Sequence, residues 1–123
     1  MKYIIAPTQQ DVIGYKKVYS HTKICIATLW IPKGTLVGAY EQKEKYSVHR
    51  KLRAEKALVL RIEYLYPRDY KSKLVNSANA GWDPAFVYRT LQEVIPTKPF
   101  SRKREGCSSG IHFFLTREEA EEY

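Results

Sequence analysis

The side chains with the clearest chemical potential lie together near the C-terminus, between residues 106 and 115. Ser108, Ser109 and His112 fall there, beside a glycine that allows a tight turn. A neutral imidazole can donate a hydrogen bond to a phosphate or act as a general acid. Two hydroxyls and closely exposed amides are the raw material of an anion nest. We therefore predict an anion-facing wall; the alternatives are a histidine bonded to a neighbouring loop and a simple turn.

The same segment is a poor candidate for nucleophilic catalysis. Cys107 or Ser108 would have to act with His112, but these residues are neighbours on one short segment and no orienting acid is evident. The segment also lacks the G-x-x-x-x-G-K-[ST] pattern of a P-loop. Neither Cys25 nor Cys107 has a second Cys or a nearby His at metal-ligand spacing. We predict no catalytic residues, cofactor or metal, and a reduced, buried thiol at each cysteine.

Tyr15 and Lys17 form a second candidate site, because they share one face of a predicted strand while Lys16 lies on the other. Aromatic side chains interleaved with basic ones provide base stacking and phosphate contacts together. The alternative is a solvated edge strand, since lysines also protect edges against aggregation.

Two further groups complete the predicted ligand-binding set. Arg53 and Lys56 belong to the densest positive cluster of the chain, and a forked guanidinium can grip a phosphate bidentately. Trp82 and Tyr88 flank the next turn and could sandwich a purine. A solvated charged loop is the alternative for the bases, and core packing is the alternative for the aromatics.

Composition supports a packed, basic protein. The 123 residues suit one domain, residues 1–123, and 44% of them are hydrophobic. The net charge is +8, yet residues 1–116 carry 20 bases against 9 acids, which is enough to attract anions at long range. No run approaches the roughly 18 apolar residues of a membrane span, and the N-terminal apolar stretch is too short for a signal peptide. We expect a cytoplasmic protein without membrane contact.

The elements that must position these residues are mostly strands. Residues 23–31 are apolar on both alternating faces, which is typical of a central strand covered on both sides. Strands are also predicted at 13–19, 35–40 and 57–64, the last with Leu58, Leu60, Ile62 and Tyr64 on its buried face. Residues 41–53 are predicted as a loop or short helix, and 66–80 as a long surface excursion. Residues 86–89 and 93–95 are predicted to form a hairpin.

A capped helix is predicted to begin at Thr116. Its hydroxyl can cap the amide of Glu119, Glu119 can reach back, and Leu115 can pack on Ala120 as a hydrophobic staple. The predicted fold class is α+β: a compact, mostly antiparallel β domain of about six or seven short strands with this helix at the C-terminus.

Four segments occur in an order that resembles a known family: Gly14 to Lys17, Arg53 to Ala57, Trp82 to Arg89, and Cys107 to Tyr123. They resemble an uncharacterised domain family of tailed-phage and giant-virus proteins, sometimes fused to pentapeptide repeats. The resemblance covers roughly residues 11 to 123, and the block from Cys107 is its most specific part. It implies a viral accessory protein in the cytoplasm of an infected host cell and brings no catalytic residues with it.

Several functions fit this pattern. The leading expectation is a non-enzymatic protein that binds a small anionic nucleotide-type ligand, such as a cyclic nucleotide or an ADP-ribose derivative, and sequesters it as an anti-defence sponge. We also expect a homo-oligomer, because small binding proteins often form such ligand pockets at subunit interfaces. The alternatives are a DNA- or RNA-binding protein, an inhibitor that binds an acidic host protein, and a nucleotide-processing enzyme that uses His112.

Overall fold

The computed structural model describes residues 2–41, 50–66, 73–81 and 83–123. Within these ranges the chain forms ten strands and one helix. The elements are β1 (Tyr3–Pro7), β2 (Val12–Ser20), β3 (Lys23–Ile31), β4 (Leu36–Tyr40), β5 (Leu52–Ala54), β6 (Leu58–Tyr64), β7 (Leu74–Val75), β8 (Ser77–Ala80), β9 (Asp83–Arg89), β10 (Ile111–Phe113) and α1 (Arg117–Glu122).

The strands build two sheets in which neighbours run antiparallel. One sheet has the order β7-β6-β3-β2-β8-β9, and the other has the order β1-β4-β5-β10. The prediction of a mostly antiparallel β domain with one short C-terminal helix is confirmed, although ten strands replace the six or seven expected.

The central strand β3 explains how the layers pack. Alternate residues on one face, including Cys25 and Leu29, are fully buried in the main core, which also holds Ile111 and Phe113 of the other sheet. On the opposite face Ile26 packs with Phe114 and Ala120 beneath α1. Coverage on both sides is what its unbroken apolar sequence predicted.

Helix α1 begins as predicted and is held down by ion pairs. The Thr116 hydroxyl accepts from the Glu119 amide at 3.3 Å. Arg117 donates to Glu63 of β6 at 2.5 Å, and Arg50 donates to Glu119 at 2.6 Å. These contacts join α1 to β6 of the larger sheet and to the residues just before β5 of the smaller one.

The outer edge of β2 is contacted at two separate places. Tyr15 and Phe114 exchange two backbone hydrogen bonds of 2.8 Å each, which join β2 to the chain just after β10. Further along β2, Tyr19 pairs with Asn79 of β8. Lys17 lies between these contacts, and no strand residue of the described ranges pairs with it on this side. A recess opens there.

Strand β6 corrects one predicted face. Its register with β3 shifts between Thr28 and Leu29, so Leu60 has no partner. This bulge turns Leu60 outward, where it is exposed, and places Val59 and Ile62 in the core. A simple alternation cannot reveal an extra residue of this kind.

Several other expectations were wrong. The predicted excursion over 66–80 contains β7 and β8, and the loop or short helix predicted over 41–53 runs into β5. Residues 42–49 and 67–72 of these two segments lie outside the described residues. The hairpin of 86–89 with 93–95 does not form, because β9 pairs with β8 while Glu93 bridges to Leu58.

Cys107 is exposed, whereas Cys25 is buried and its pKa is raised by that burial. Leu115, which was predicted to pack on Ala120 as a staple, is 48% exposed. Phe114 packs with Ala120 in its place.

Candidate functional site

A cleft of about 250 Å³ occupies the recess beside β2. We call it the lysine cleft, because three lysines contribute to its wall. Its lining residues are Lys16, Lys17, Tyr19, Lys51, Ala80, Gly81, His112, Phe114 and Tyr123. Four parts of the chain therefore meet there: β2, the residue before β5, the end of β8 and the segment from β10 to the end of α1.

Two of the lysines come from consecutive positions of β2. Lys17 pairs with Ile26 on the helix-covered face, while Lys16 pairs with Ala27 and lies on the core-facing side between buried Gly14 and Val18. Burial lowers the pKa of Lys16, the nearby charge of Lys51 adds to this effect, and the resulting pKa is about 8. Adjacent residues of a strand point to opposite faces, so both reach the cleft only because it lies at the strand edge.

The third lysine is held in place by Tyr123. Lys51 Nζ donates to the Tyr123 hydroxyl at 3.1 Å and lies 5.1 Å from the centroid of its ring. The Tyr123 ring in turn lies 5.3 Å from Phe114. This chain of contacts fixes one cationic group and one aromatic ring at the cleft wall.

Tyr19 and Gly81 form another part of the cleft wall. A Cβ atom added at Gly81 would collide with the Tyr19 ring, so this close approach requires glycine. The Tyr19 ring thereby reaches the cleft from β2 without a side chain from β8 in front of it.

His112 is in the cleft, but its chemistry differs from the prediction. Its Nε2 atom lies 2.8 Å from the Ser108 carbonyl oxygen. Because a carbonyl only accepts, Nε2 carries the proton and Nδ1 is bare in the neutral ring. Burial lowers the pKa of His112 to about 4, with further lowering by Lys51, Lys16 and Arg53. The predicted donation to a phosphate is therefore replaced by donation to a neighbouring loop, which was the alternative.

Arg53 is opposite His112 in the β5–β10 register but is fully buried. Its guanidinium donates to the carbonyl oxygens of Ser101 (2.6 Å), Ser109 (2.8 Å) and Glu105 (3.2 Å), and also to that of Lys103. The rings of Phe100 and Tyr3 cover it at 4.7 and 5.3 Å. The predicted phosphate grip is corrected: this guanidinium organises the backbone of residues 101–109.

The hydroxyls of Ser108 and Ser109 likewise donate hydrogen bonds within the protein. Ser108 Oγ donates to Glu105 Oε1 at 3.2 Å, and Ser109 Oγ donates to the Pro99 carbonyl at 2.5 Å. Gly110 has φ +145°, and a Cβ there would lie 3.0 Å from the Phe100 ring. The segment is thus a turn bonded to its own surroundings, and the hydroxyls of the predicted anion nest are occupied.

The remaining residues of the predicted ligand-binding set are Tyr88, Trp82, Tyr15 and Lys56. Tyr88 is fully buried and stacks on Phe86 at 5.2 Å, so core packing replaces the purine sandwich, and burial raises the pKa of Tyr88. Trp82 lies outside the described residues. Tyr15 packs with the cluster under α1, and Lys56 is exposed; neither lines the cleft.

The structure therefore brings Lys17 and His112 together and adds residues that the sequence did not assign to a site. These are Lys16, Tyr19, Lys51 and Tyr123. Lys16 carried one available signal, since a lysine at an inward position of an amphipathic strand is unusual. Lys51 and Tyr123 meet across 72 positions of sequence, a separation over which local patterns carry no information.

In the described part of the chain, no group of three or more His, Cys, Asp or Glu residues is arranged to hold a metal ion. None of the helices in that part has the length and apolarity needed to cross a bilayer.

Comparison with known proteins gives one match. No curated protein matches this chain, and no solved structure does so either. A family model described as "Family of unknown function (DUF5758)" matches residues 2–120. This range includes all ten strands and the start of α1. The expected membership of an uncharacterised domain family is confirmed, and the chain belongs to the DUF5758 family.

Proposed function

We propose that this protein binds a small anionic nucleotide-type ligand in the lysine cleft without transforming it. The observation that carries the proposal is the convergence of Lys16, Lys17 and Lys51 on one cleft of about 250 Å³. Within the described ranges, none of these lysines forms an ion pair with a carboxylate. Three ammonium groups that share a concave surface repel one another, and a phosphate relieves that repulsion.

Aromatic rings complete the match to a nucleotide. Tyr19 and Tyr123 line the same cleft, and base–aromatic stacking contributes roughly 1–3 kcal/mol per base. The cleft is slightly smaller than the roughly 300–1,000 Å³ typical of small-molecule pockets. A phosphate and one ring fill it, so a larger ligand such as ADP-ribose or a cyclic dinucleotide extends beyond it, where a second copy of the chain would cover the exposed part.

The state of His112 supports binding in preference to turnover. Its proton is donated to Ser108, and its low pKa keeps the ring neutral at pH 7. General acid catalysis needs a group that is protonated near the working pH. A neutral imidazole beside three lysines instead avoids adding a fourth positive charge, and its bare Nδ1 is suited to accept from a ligand hydroxyl.

The biological role follows from the resemblance to phage and giant-virus proteins. A protein of this kind acts in the host cytoplasm, and sequestration of a nucleotide immune signal requires affinity alone. The proposed role is therefore an anti-defence sponge. Its signal is a cyclic nucleotide or an ADP-ribose derivative, and its assembly is a homo-oligomer.

Calorimetry of site variants tests the binding proposal. The wild-type protein is titrated at low salt with ADP-ribose, NAD and a cyclic dinucleotide. We expect heat with at least one of them, and an approximately tenfold weaker affinity for Lys51→Gln, since charge-assisted hydrogen bonds contribute about 1.5–3 kcal/mol. Lys56→Gln removes the same charge from an exposed position outside the cleft lining and should bind as the wild type does. Absence of heat throughout, or equal losses in both variants, would contradict the proposal.

A basic surface loop favours nucleic acid as a second candidate. Arg102, Lys103 and Arg104 are exposed on the segment whose backbone Arg53 fixes, and Lys98 is exposed just before it. An exposed row of bases on a held backbone suits a polymer of phosphates. Gel shifts with duplex DNA and RNA at ~50 and ~200 mM salt test it, with an expected log-log slope of about −0.9 per phosphate contact on DNA. Failure to shift any polymer at the lower salt would eliminate it.

A further inference from the structure

Lys16 differs from every other lysine that lines the cleft. It lies on the core-facing side of β2, half-buried between Gly14 and Val18, which are both buried. Lys17 lies on the other face of β2, and Lys51 is engaged with the Tyr123 hydroxyl. No carboxylate of the described ranges forms a salt bridge with Lys16. Its amine is therefore confined, desolvated and directed to a cleft that anions would enter.

We propose that Lys16 is an imine-forming lysine, and that the lysine cleft takes phosphate-bearing sugars whose aldehyde is free. This rests on the proposed function, because the phosphate has to bring the carbonyl group into the cleft. Among the nucleotide-type ligands considered above, ADP-ribose has a terminal ribose that opens to an aldehyde. NAD and cyclic dinucleotides have no such group, so the proposal narrows the ligand class.

The charges around Lys16 keep its amine reactive. Lys51 approaches from the residue before β5, Lys17 and Tyr19 lie on the same strand, and His112 faces it from β10 as a neutral ring. With a pKa of about 8, roughly a fifth of the amine is unprotonated at pH 7.4, against roughly 0.1% for an ordinary lysine. Desolvated lysines beside another cation are the form in which proteins use amines as nucleophiles.

The reaction balances without any oxidant or reductant. The amine nitrogen attacks the aldehyde carbon, a C–N bond forms, and the nitrogen proton moves through solvent to the former carbonyl oxygen. The resulting carbinolamine loses that oxygen as water, with a second nitrogen proton, and a C=N bond remains. One amine and one aldehyde thus give one imine and one water, and hydrolysis reverses the step.

Reductive trapping with ribose 5-phosphate tests the inference. The wild-type protein is incubated with ribose 5-phosphate and cyanoborohydride, digested, and mapped by mass spectrometry. We expect the reduced adduct at Lys16 to exceed that at exposed Lys56 at least about tenfold, because Lys16 lines the cleft that holds the sugar phosphate and burial favours its unprotonated amine. The variant Lys16→Arg keeps the positive charge and should lose only this adduct. Equal labelling of all lysines, or labelling mainly at Lys51, would overturn the proposal.

AMP separates this inference from the proposed function. It carries the same ribose phosphate, but adenine blocks the carbon that would become the aldehyde. We expect AMP to compete with adduct formation at Lys16 and to form no adduct itself. If AMP binds in the cleft and ribose 5-phosphate still leaves Lys16 unmodified, the imine fails while the binding function stands. If neither AMP nor ADP-ribose binds in the cleft, the proposed function fails as well.

Discussion

Among single residues, His112 carries the clearest pH signal. Burial of its ring and the nearby charges of Lys51, Lys16 and Arg53 disfavour the protonated form in the folded protein and outweigh the opposing effect of the hydrogen bond to the Ser108 carbonyl. Its folded pKa of about 4 lies below the ordinary value of 6.5. Between these two values the unfolded chain binds more protons than the folded one, and stability falls as the pH falls.

We predict that His112→Asn flattens this acid dependence. Between pH 6.5 and 4 the wild type should lose on the order of 2 to 3 kcal/mol more stability than the variant, because the variant has no ring to protonate. Urea unfolding at a series of pH values measures the difference. His21→Asn is the control, since His21 is exposed in a turn with φ 49°, a conformation that asparagine tolerates. Parallel pH profiles for His112→Asn and the wild type would contradict the account.

The candidate site was only partly predictable from its residues. The sequence indicated that Lys17 and His112 matter, because a strand pattern fixes which side chains share a face. It could not show that the Arg53 guanidinium donates to four backbone carbonyls, since those acceptors lie 48 to 56 positions away in the sequence. Long-range contacts of this kind depend on how the sheets pack.

At the scale of elements, the segment from Pro99 to Gly110 is a loop that Arg53 fastens to β5. The segment has no strand or helix of its own, and its carbonyls at Ser101, Glu105 and Ser109 converge on one guanidinium. The same segment presents the Ser108 carbonyl to His112. One buried side chain therefore sets the position of the carbonyl group that holds His112, a residue of the cleft lining.

We predict that Arg53→Lys destabilises the protein by about 3 kcal/mol or more. An ammonium group has three donors on a flexible stem and cannot reproduce the fork, so buried carbonyls lose their partners. Chemical denaturation measures the loss, and Arg102→Lys, at an exposed position of the same segment, is the control with an expected change within about 0.5 kcal/mol. Equal unfolding midpoints for the two variants would show that the guanidinium does not hold the segment.

Each element could be predicted from the sequence only where its signal is local. β3 and α1 were predicted well because an unbroken apolar run and a capping box are local signals. β5, β7 and β8 are only two to four residues long and are defined by their partners, so no periodicity could reveal them. The bulge at Leu60 reversed a predicted face for the same reason.

At the scale of the whole molecule, two sheets meet along β2 and leave one recess at their junction. The contacts of Tyr15 with Phe114 and of Tyr19 with Asn79 bracket it, and the proposed anionic ligand would be attracted by the net charge of +8. Helix α1, anchored by Arg117 and Arg50, brings Tyr123 to its rim. The architecture thus concentrates three lysines at a point where no single element could gather them.

A titration of ¹⁵N-labelled protein with ADP-ribose, followed by amide chemical shifts, tests the central claim most directly. The account predicts saturable shifts at Lys17, Gly81 and His112, which come from three separate parts of the chain around the lysine cleft. Lys56 and Lys98, both exposed and outside the cleft lining, should show little change. Shifts that cluster at residues 98–104 instead, or no saturable shift at any cleft residue, would contradict the claim that this cleft is the binding site.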